Sequence, residues 1–397
     1  MLAAAMDDAR IGVYVHVPFC ERICPYCDFA VEKAPRLARA REDAYVDALL
    51  AELGRRRSAF AERPLATLYL GGGTPSLLRP DSIERLVAAV RDAFPPVERD
   101  VETTLELNPG SSERARLPAF RAAGVNRLSV GVQSFDDVAL KRLGRAHRAE
   151  DCRAALAAAR AAGFENLSID LIVAAPGQRL AGVARDLEAA LAFAPQHVSV
   201  YCLTIEPGTP FERAARRGQL ALAEEDEVAD MLALAAERLG AAGLVRYEIS
   251  SFAAPGRESR HNRRYWERRP VLGLGVGAWS SEPAGAGAPH GARRANVRSL
   301  AEFLARVAAG EPAAAGPAER LDAPAARGEA VFLALRTSSG LAADCFAAEF
   351  GAPPRGFYAA EIDELVGAGL LEEAPDGSLR LTRRGILLSD TVFERFV

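Results

Sequence analysis

Short apolar runs alternate with amphipathic stretches over the first two hundred residues of the chain. The apolar runs are rich in Val, Ile and Leu, which is typical of β-strands buried on both faces. They predict strands at residues 11–17, 67–70, 101–107, 127–131, 167–173 and 197–203. The stretches between them repeat apolar residues at helical spacing. They predict helices at 41–58, 81–94, 112–123, 136–161 (as two helices) and 181–194.

This alternation of strand and helix predicts the fold class. Six strands separated by helices indicate an α/β protein with a parallel sheet and helical crossovers. Right-handed crossovers can wind such a sheet into either an open sheet or a barrel. The strand pattern alone does not decide between the two.

The pattern becomes less regular after residue 215. A helix is predicted at 224–241, followed by strand-like stretches at 244–251 and 271–280. Two segments rich in Ala, Gly and Pro, 282–292 and 310–326, predict loops or linkers. Three helical patterns then precede a hairpin predicted around Asp376-Gly377, which indicates a winged-helix-like end. We therefore expect a barrel core at 1–215, an extension at 216–310 and a C-terminal domain at 311–397.

Composition and charge narrow the possible functions. The chain has 49% hydrophobic and 26% charged residues, as expected for a soluble globular protein. A net charge of −4 gives no general attraction to nucleic acid. In the winged-helix-like end, the segment that would contact DNA is 358–366, and it carries three acidic residues that would repel phosphate. No stretch approaches the roughly 18 apolar residues of a membrane span. The first residues lack the features of a signal peptide, so we expect a cytoplasmic protein without a transmembrane segment.

Three of the six cysteines crowd together as Cys20, Cys24 and Cys27. Clustered thiols in a reducing compartment indicate metal binding. Three thiolates on one loop can bind three irons of a cubane cluster and leave the fourth iron for a substrate, whereas ferredoxin-type clusters take four thiolates. One alternative is structural zinc, but zinc needs four ligands and the only nearby candidate, His16, lies in a predicted strand. The other alternative, buried core thiols, does not explain the spacing.

Glycine and polar residues recur where the predicted strands end. Ligands of a parallel β/α barrel bind at the carboxyl ends of its strands, so these residues are expected to share one site. They are Gly71-Gly72-Gly73-Thr74-Pro75, Glu106-Leu107-Asn108-Pro109, Gly131-Val132-Gln133-Ser134, Asp170 and Thr204-Ile205-Glu206-Pro207.

The C-x3-C-x2-C spacing, with Tyr26 before the last cysteine, resembles the signature of radical S-adenosylmethionine (SAM) proteins. More widely, the chain resembles the oxygen-independent coproporphyrinogen III oxidases and their relatives, the HemW-type haem chaperones. The matching stretches are Tyr14-Val15-His16-Val17-Pro18-Phe19-Cys20, Gly71-Gly72-Gly73-Thr74-Pro75, Gly131-Val132-Gln133-Ser134-Phe135, Ser168-Ile169-Asp170-Leu171-Ile172, Pro176-Gly177-Gln178 and Leu381-Thr382-Arg383-Arg384-Gly385.

This resemblance implies both the fold and the cofactors. The expected fold is a partial (β/α)6 TIM-like radical SAM barrel with a C-terminal helical, winged-helix-like domain. The expected cofactors are a [4Fe–4S] cluster on the three cysteines and SAM, with reduced flavodoxin or ferredoxin as electron donor. The residues implied to contact SAM are Tyr14, Tyr26, Gly72, Gly73, Thr74, Glu106, Gln133, Arg145 and Asp170.

Three features favour the chaperone branch. Phe29 stands where the oxidases carry a fourth cysteine, the cluster motif begins close to the start of the chain, and His261-Asn262-Arg263-Arg264-Tyr265-Trp266 resembles the H-N-x-x-Y-W motif of the chaperones. One departure is Trp279, which stands where the family often has histidine. The resemblance thus implies that haem or a porphyrin is bound, that haem passes to acceptor proteins, membrane-associated ones among them, and that oxidase activity is absent. Two alternatives stay open: a true coproporphyrinogen oxidase, and a radical SAM enzyme with an unrelated substrate.

The chemistry of this motif also permits haem binding. Imidazole is a common axial ligand of haem iron, so His261 is the candidate ligand. In a helix, His261 and Tyr265 would lie on one face. Neighbouring arginines could meet haem propionates: Arg260, Arg263, Arg264 and Arg268. The alternative is a solvated, arginine-rich helix with a packed aromatic pair.

Overall fold

The computed structural model describes residues 9–60, 62–96, 101–285 and 287–397. Residues 1–8, on which part of the signal-peptide expectation depends, lie outside the described residues. The strands are β1 (Ile11–Val17), β2 (Phe19–Cys20), β3 (Glu32–Lys33), β4 (Leu65–Gly72), β5 (Glu102–Leu107), β6 (Arg127–Gln133), β7 (Asn166–Val173), β8 (His197–Cys202), β9 (Val245–Arg246), β10 (Ser251–Ala253), β11 (Val271–Leu274), β12 (Trp279–Glu282), β13 (Ala292–Ala295), β14 (Glu319–Arg320), β15 (Leu371–Glu373) and β16 (Leu379–Leu381).

The helices fall between these strands, together with 3-10 turns at Arg57–Phe60 and Pro75–Leu77. They are α1 (Arg39–Arg56), α2 (Pro80–Asp92), α3 (Ser111–Ala122), α4 (Asp137–Arg142), α5 (Ala149–Ala161), α6 (Leu180–Leu191), α7 (Pro210–Arg216), α8 (Glu225–Ala241), α9 (Arg260–Trp266), α10 (Leu300–Ala308), α11 (Ala323–Leu335), α12 (Ala343–Phe350), α13 (Arg355–Gly367), α14 (Arg383–Leu387) and α15 (Ser389–Phe393). Within the described residues, no helix is both long and apolar enough to cross a lipid bilayer.

Six parallel strands form the centre of one sheet. The sheet order is β14-β13-β12-β11-β1-β4-β5-β6-β7-β8-β10-β9, so β1 and β4 to β8 follow one another as they do along the chain. Helices α1 to α6 make the crossovers between them. The two edges of the described sheet do not pair with each other, so the barrel is partial. The predicted α/β class and (β/α)6 barrel are confirmed.

The strand β1 shows why the apolar pattern predicted the strands well. Its burial is nearly continuous, and Val13, Val15 and Val17 are all fully buried. Parallel strands covered by helices bury both faces, which requires a run of apolar residues rather than alternation. The predicted bounds of this strand, 11–17, match the structure.

The extension departs from the predicted pattern at both edges of the sheet. The strand-like stretch 244–251 is two short strands, β9 and β10, which pair antiparallel beyond β8. At the other edge, β11 runs parallel to β1 and is followed by the antiparallel strands β12 to β14. The strand β13 begins where the sequence predicts the end of a loop; it contains Arg293 and Arg294, so its sequence lacks an apolar signal.

The C-terminal residues have a separate apolar core. One cluster fills the barrel and extends to Ala313, while a second cluster runs from Ala330 to Phe396. The predicted hairpin is confirmed, since β15 and β16 pair antiparallel on either side of Asp376. Three helices precede this hairpin and two short helices follow it, as in a winged-helix-like arrangement. The domain boundaries at 215 and 310 stay predictions.

Candidate functional site

A cavity of about 410 Å³ lies at the carboxyl ends of the parallel strands. It is lined by the three clustered cysteines and by residues from the ends of β4 to β8. The predicted SAM residues on its wall are Tyr26, Gly72, Gly73, Thr74, Glu106, Gln133, Arg145 and Asp170. The structure therefore brings together residues that are more than 140 positions apart in the chain, because all of these strands end at one edge.

The cysteine loop is fixed at both ends. Cys20 ends β2, which pairs with β3 after the loop, and the backbone N–H of Cys27 donates to the carbonyl of Cys24 at 3.1 Å. His16 adds a third attachment, since its Nε2 lies 2.9 Å from the carbonyl oxygen of Ala30. All three thiols are free and partly exposed to the cavity. The loop thus presents its thiols from a braced backbone.

A chain of hydrogen bonds connects two of the thiols across the strand ends. Arg145 donates to Cys24 Sγ at 3.4 Å and also to the side-chain oxygen of Asn108. Asn108 donates to the hydroxyl of Thr74 at 2.7 Å, and this hydroxyl approaches Cys20 Sγ at 3.8 Å. These contacts orient the Cys20 and Cys24 thiols; each occupies one sulfur lone pair and leaves another for a metal.

The donor set fits an iron–sulfur cluster. A Cβ added at Gly73 would lie 3.0 Å from Cys20 Sγ and 2.8 Å from the carbonyl oxygen of Phe19, so only glycine lets this turn approach the cysteine loop so closely. Burial raises the pKa of Cys20 to about 11, and burial also raises the pKa of Cys27. Without metal these two thiols are therefore protonated, and ligation would release their protons. Among the described residues, no group of three or more His, Cys, Asp or Glu side chains is placed to hold a single metal ion.

Glu106 connects two of the strand ends. Its carboxylate accepts hydrogen bonds from the Gly72 backbone N–H at 3.0 Å and from the Tyr69 hydroxyl at 2.8 Å. Burial raises its pKa to about 7, although these two hydrogen bonds act in the opposite direction. Glu106 therefore changes charge near neutral pH.

Asp170 and Gln133 complete the polar wall. Asp170 accepts a hydrogen bond from the Ser129 hydroxyl at 2.8 Å, and burial raises its pKa. Gln133 has a φ of 67°, a left-handed conformation that is uncommon for residues other than glycine. Strained backbone of this kind is concentrated at functional sites. Tyr201, which the sequence analysis did not select, also lines this wall; its place at the end of β8 was the available signal.

Tyr14 does not line the cavity. Its hydroxyl is 3.1 Å from Nδ1 of His16, so it lies behind the residue that braces the cysteine loop. In this structure it reaches the site indirectly, through His16 and through its ring contact with Tyr69, whose hydroxyl donates to Glu106 on the cavity wall. The direct SAM contact implied for Tyr14 stays a prediction.

His261 lies away from the cavity, near the start of β4. Its Nδ1 is 2.8 Å from the Thr67 hydroxyl, and its Nε2 is 3.2 Å from the hydroxyl of Tyr265. Thr67 and Gly72 are five residues apart on one strand, which corresponds to roughly 16 Å. His261 is 1% exposed, and burial lowers its pKa to about 3. The imidazole is thus neutral with both nitrogens hydrogen-bonded, and iron ligation would require one of these bonds to break.

The helix that carries His261 also contains a buried arginine, Arg264. The predicted helix is confirmed as α9, with His261 and Tyr265 one turn apart on the same face. Arg264 is 1% exposed and donates to the carbonyl oxygens of Arg10 and Pro270, so it cannot reach a propionate at the surface. Trp266 lies under the guanidinium of Arg336 at 4.5 Å.

Comparison with known proteins agrees with this arrangement. The Radical SAM superfamily model matches residues 14–190, and the HemN C-terminal domain model matches residues 321–388. The structure of coproporphyrinogen III oxidase (HemN) from Escherichia coli superimposes with a TM-score of 0.81 at 24% identity, covering 99% of this chain and 93% of that one. This similarity shows the shared fold.

Three relatives specify the family. The heme chaperone HemW of Bacillus subtilis is 33% identical over 97% of this chain and 99% of its own length. That of Lactococcus lactis is 35% identical over 97% of both chains. That of Escherichia coli is 38% identical over 68% of this chain and 69% of its own length.

The fold and the cysteine loop define a radical SAM protein, and membership of that superfamily implies a [4Fe–4S] cluster and SAM. Within the superfamily, the chain belongs to the HemW family.

The first prediction concerns Gly72, which has a φ of 109° and whose added Cβ would lie 2.5 Å from the His16 ring. Gly72→Ala should destabilise the protein by about 1–3 kcal/mol and reduce the cluster content, because it displaces the residue that braces the cysteine loop. Thermal unfolding and iron content measure both effects. The matched control is Gly54→Ala in α1, where nothing lies within 4 Å and stability should rise slightly. Equal behaviour of the two variants would contradict this role for Gly72.

The second prediction concerns the charge of Glu106. If SAM occupies this cavity, ionised Glu106 would attract its positive charge, so SAM affinity should fall by up to about tenfold from pH 8 to pH 6 as this carboxylate is protonated. Titration calorimetry on the reconstituted protein should show this dependence in the wild type and a weaker one in Glu106→Gln.

The raised pKa of Glu106 also means that its ionisation destabilises the folded state as pH rises through 7. Glu106→Gln should therefore raise the melting temperature more at pH 8 than at pH 6; the opposite order would exclude this account.

Proposed function

We propose that this protein is a radical SAM haem chaperone, which binds haem and delivers it to haem-accepting proteins. The observation that carries the proposal is the similarity to the heme chaperone HemW of Bacillus subtilis, which extends over 97% of this chain and 99% of that protein. Similarity along the whole length includes the C-terminal domain as well as the barrel. The proposed location is the cytoplasm, and membrane-associated haem proteins are among the proposed acceptors.

The proposed cofactor contacts follow from the cavity wall. Cys20, Cys24 and Cys27 would hold the cluster, and the strand-end residues would hold SAM. When bound and reduced by flavodoxin or ferredoxin, the cluster supplies one electron for cleavage of the SAM sulfonium. Within the chain, Arg145 orients the Cys24 thiol, and Glu106 fixes the Gly72 turn and places a titratable charge in the cavity.

Phe29 supports the chaperone reading over the oxidase reading. It occupies the position at which the oxidases share a fourth cysteine. Its side chain is 61% exposed and lines the cavity. A phenyl ring offers neither a lone pair for iron nor a transferable proton, so cysteine chemistry at this position is unavailable here.

The third prediction tests the cluster. Anaerobically reconstituted protein should contain about four irons in one centre, and alanine at Cys20, Cys24 or Cys27 should remove most of that iron. Cys345→Ala is the control, since this thiol lies in the C-terminal domain and outside the cavity. Iron analysis and visible absorption give the readout. One retained zinc per chain without iron–sulfur absorption would show that the assignment is wrong.

The fourth prediction tests the choice of branch. The purified protein should bind haem saturably, with a stoichiometry near one, and should not convert coproporphyrinogen in the presence of SAM and an electron donor. The absorption change of haem and a product assay measure the two properties on one preparation. Robust conversion of coproporphyrinogen would overturn the proposal in favour of the oxidase.

His261→Ala, in the same assays, decides the role of the motif histidine. Imidazole chemistry and the motif make His261 the candidate haem ligand, whereas both ring nitrogens are bonded within the protein. On this geometry we expect the variant to lose about 2 kcal/mol or more of stability and to keep the haem spectrum of the wild type. A changed haem spectrum in a folded variant with an intact cluster would instead support ligation by His261.

A further inference from the structure

A second cavity, here called the outer groove, lies between the barrel and the C-terminal domain. Its volume is about 420 Å³, and it opens to solvent. Val200 and Cys202 of β8 form its floor, Leu232 and Ala236 of α8 form one wall, and Leu387 of α14 contributes to the opposite wall. The lining is mostly apolar, and the volume lies in the range of small-molecule sites.

Strand alternation places the outer groove directly behind the SAM cavity. Tyr201 lines the SAM cavity, and Ser199 on the same side of β8 hydrogen-bonds Asp170 inside the barrel. Successive side chains of a strand point to opposite faces, so Val200 and Cys202 belong to the outer face. Cys202 ends the strand and borders both cavities. One strand therefore separates the two sites.

Three arginines border the otherwise apolar groove: Arg246, Arg383 and Arg384. None of the three has a carboxylate partner within ion-pair distance among the described residues. Arg246 lies over the ring of Phe252 at 4.9 Å, and its buried Nε finds no hydrogen-bond partner in the part of the chain that the structure describes. Arg384 donates to a backbone carbonyl, that of Ala368, at 3.2 Å.

The nearby acid, Glu248, acts on Arg246 without forming an ion pair with it. Burial lowers the pKa of Arg246, Glu248 opposes this effect, and the charge of Arg383 adds to it. Glu248 is itself buried, and its ion pair, at 3.9 Å, is with Arg336 instead. The groove therefore holds like charges close together, which an anionic ligand would stabilise.

Another cavity of about 360 Å³ provides a contrast. It lies beside α9 and α12 and contains His290, but its arginines are neutralised. Arg268 pairs with Glu329 at 2.9 Å and with Glu349 at 2.7 Å, and Arg293 also pairs with Glu329. Cations that already have carboxylate partners offer little to a further anion. The unpaired arginines thus distinguish the outer groove.

We propose that the outer groove is the haem site, with its apolar walls covering part of the macrocycle and its arginines meeting the carboxylates. The inference rests on the proposed function, that the protein binds haem. Guanidinium groups form paired, charge-assisted hydrogen bonds with carboxylates. Cys202 supplies a thiol that would release its proton on ligating the iron, since haem proteins with a cysteine ligand bind it as thiolate. The open side leaves the bound haem accessible to an acceptor protein.

Haem titration of four variants tests the site. Arg246→Gln and the double variant Arg383→Gln/Arg384→Gln should each raise the Kd for haem by about tenfold or more. Arg39→Gln, an exposed arginine on α1, is the matched control and should bind like the wild type. Iron-free protoporphyrin IX should show the same dependence on the arginines, because it carries the same carboxylates. Cys202→Ser should change the haem spectrum and leave the affinity for protoporphyrin IX unchanged.

The outcomes separate this inference from the proposed function. If the wild type binds no haem, both are overturned. If the wild type binds haem and the arginine variants behave like Arg39→Gln, the outer groove is excluded while the chaperone role stands. If palmitate competes as strongly as haem and with the same arginine dependence, the groove is a general site for amphipathic anions and the haem assignment is wrong. Melting temperatures and iron content verify folding. The double variant Arg383→Lys/Arg384→Lys keeps both charges, so it should recover part of the affinity that the glutamine double variant loses.

Discussion

The parallel strands of the barrel all end at one edge, and the rest of the structure depends on this constraint. Helical crossovers return the chain along the outside of the sheet, so residues as distant in sequence as Cys20 and Asp170 line one cavity. The cysteine loop is then held against this edge by His16 below it and by the hydrogen bonds from Arg145 and Thr74 beside it. A cluster bound by only three thiolates can therefore face the strand ends, where SAM is proposed to lie.

Much of this arrangement could be predicted from the sequence, for a physical reason. Strands buried on both faces need continuous apolar runs, so the run at 11–17 predicted β1 with the bounds found in the structure. The strand β13 was missed because it carries Arg293 and Arg294 at the edge of the sheet, where apolar residues are not required. The glycines and acids of the cavity were predictable because function places unusual residues where buried strands end.

The positions that sequence could not resolve depend on tertiary packing. The motif around His261 predicted a helix with a tyrosine one turn away, but not that Thr67 of a distant strand would occupy the other ring nitrogen. The outer groove is equally hidden, since its arginines come from separate segments and only the docking of α14 beside β8 brings them together. In this account, SAM and haem occupy opposite sides of β8, with Cys202 between them.

The central claim is that Cys20, Cys24 and Cys27 hold a cluster with one iron free for SAM. Electron–nuclear double resonance on the reduced cluster, with SAM carrying ¹⁵N in its amino group, tests this claim most directly. The account predicts a hyperfine coupling from the labelled nitrogen, because the amino group would bind the iron that lacks a cysteine ligand. SAM binding shown by calorimetry, without any such coupling, would contradict the account.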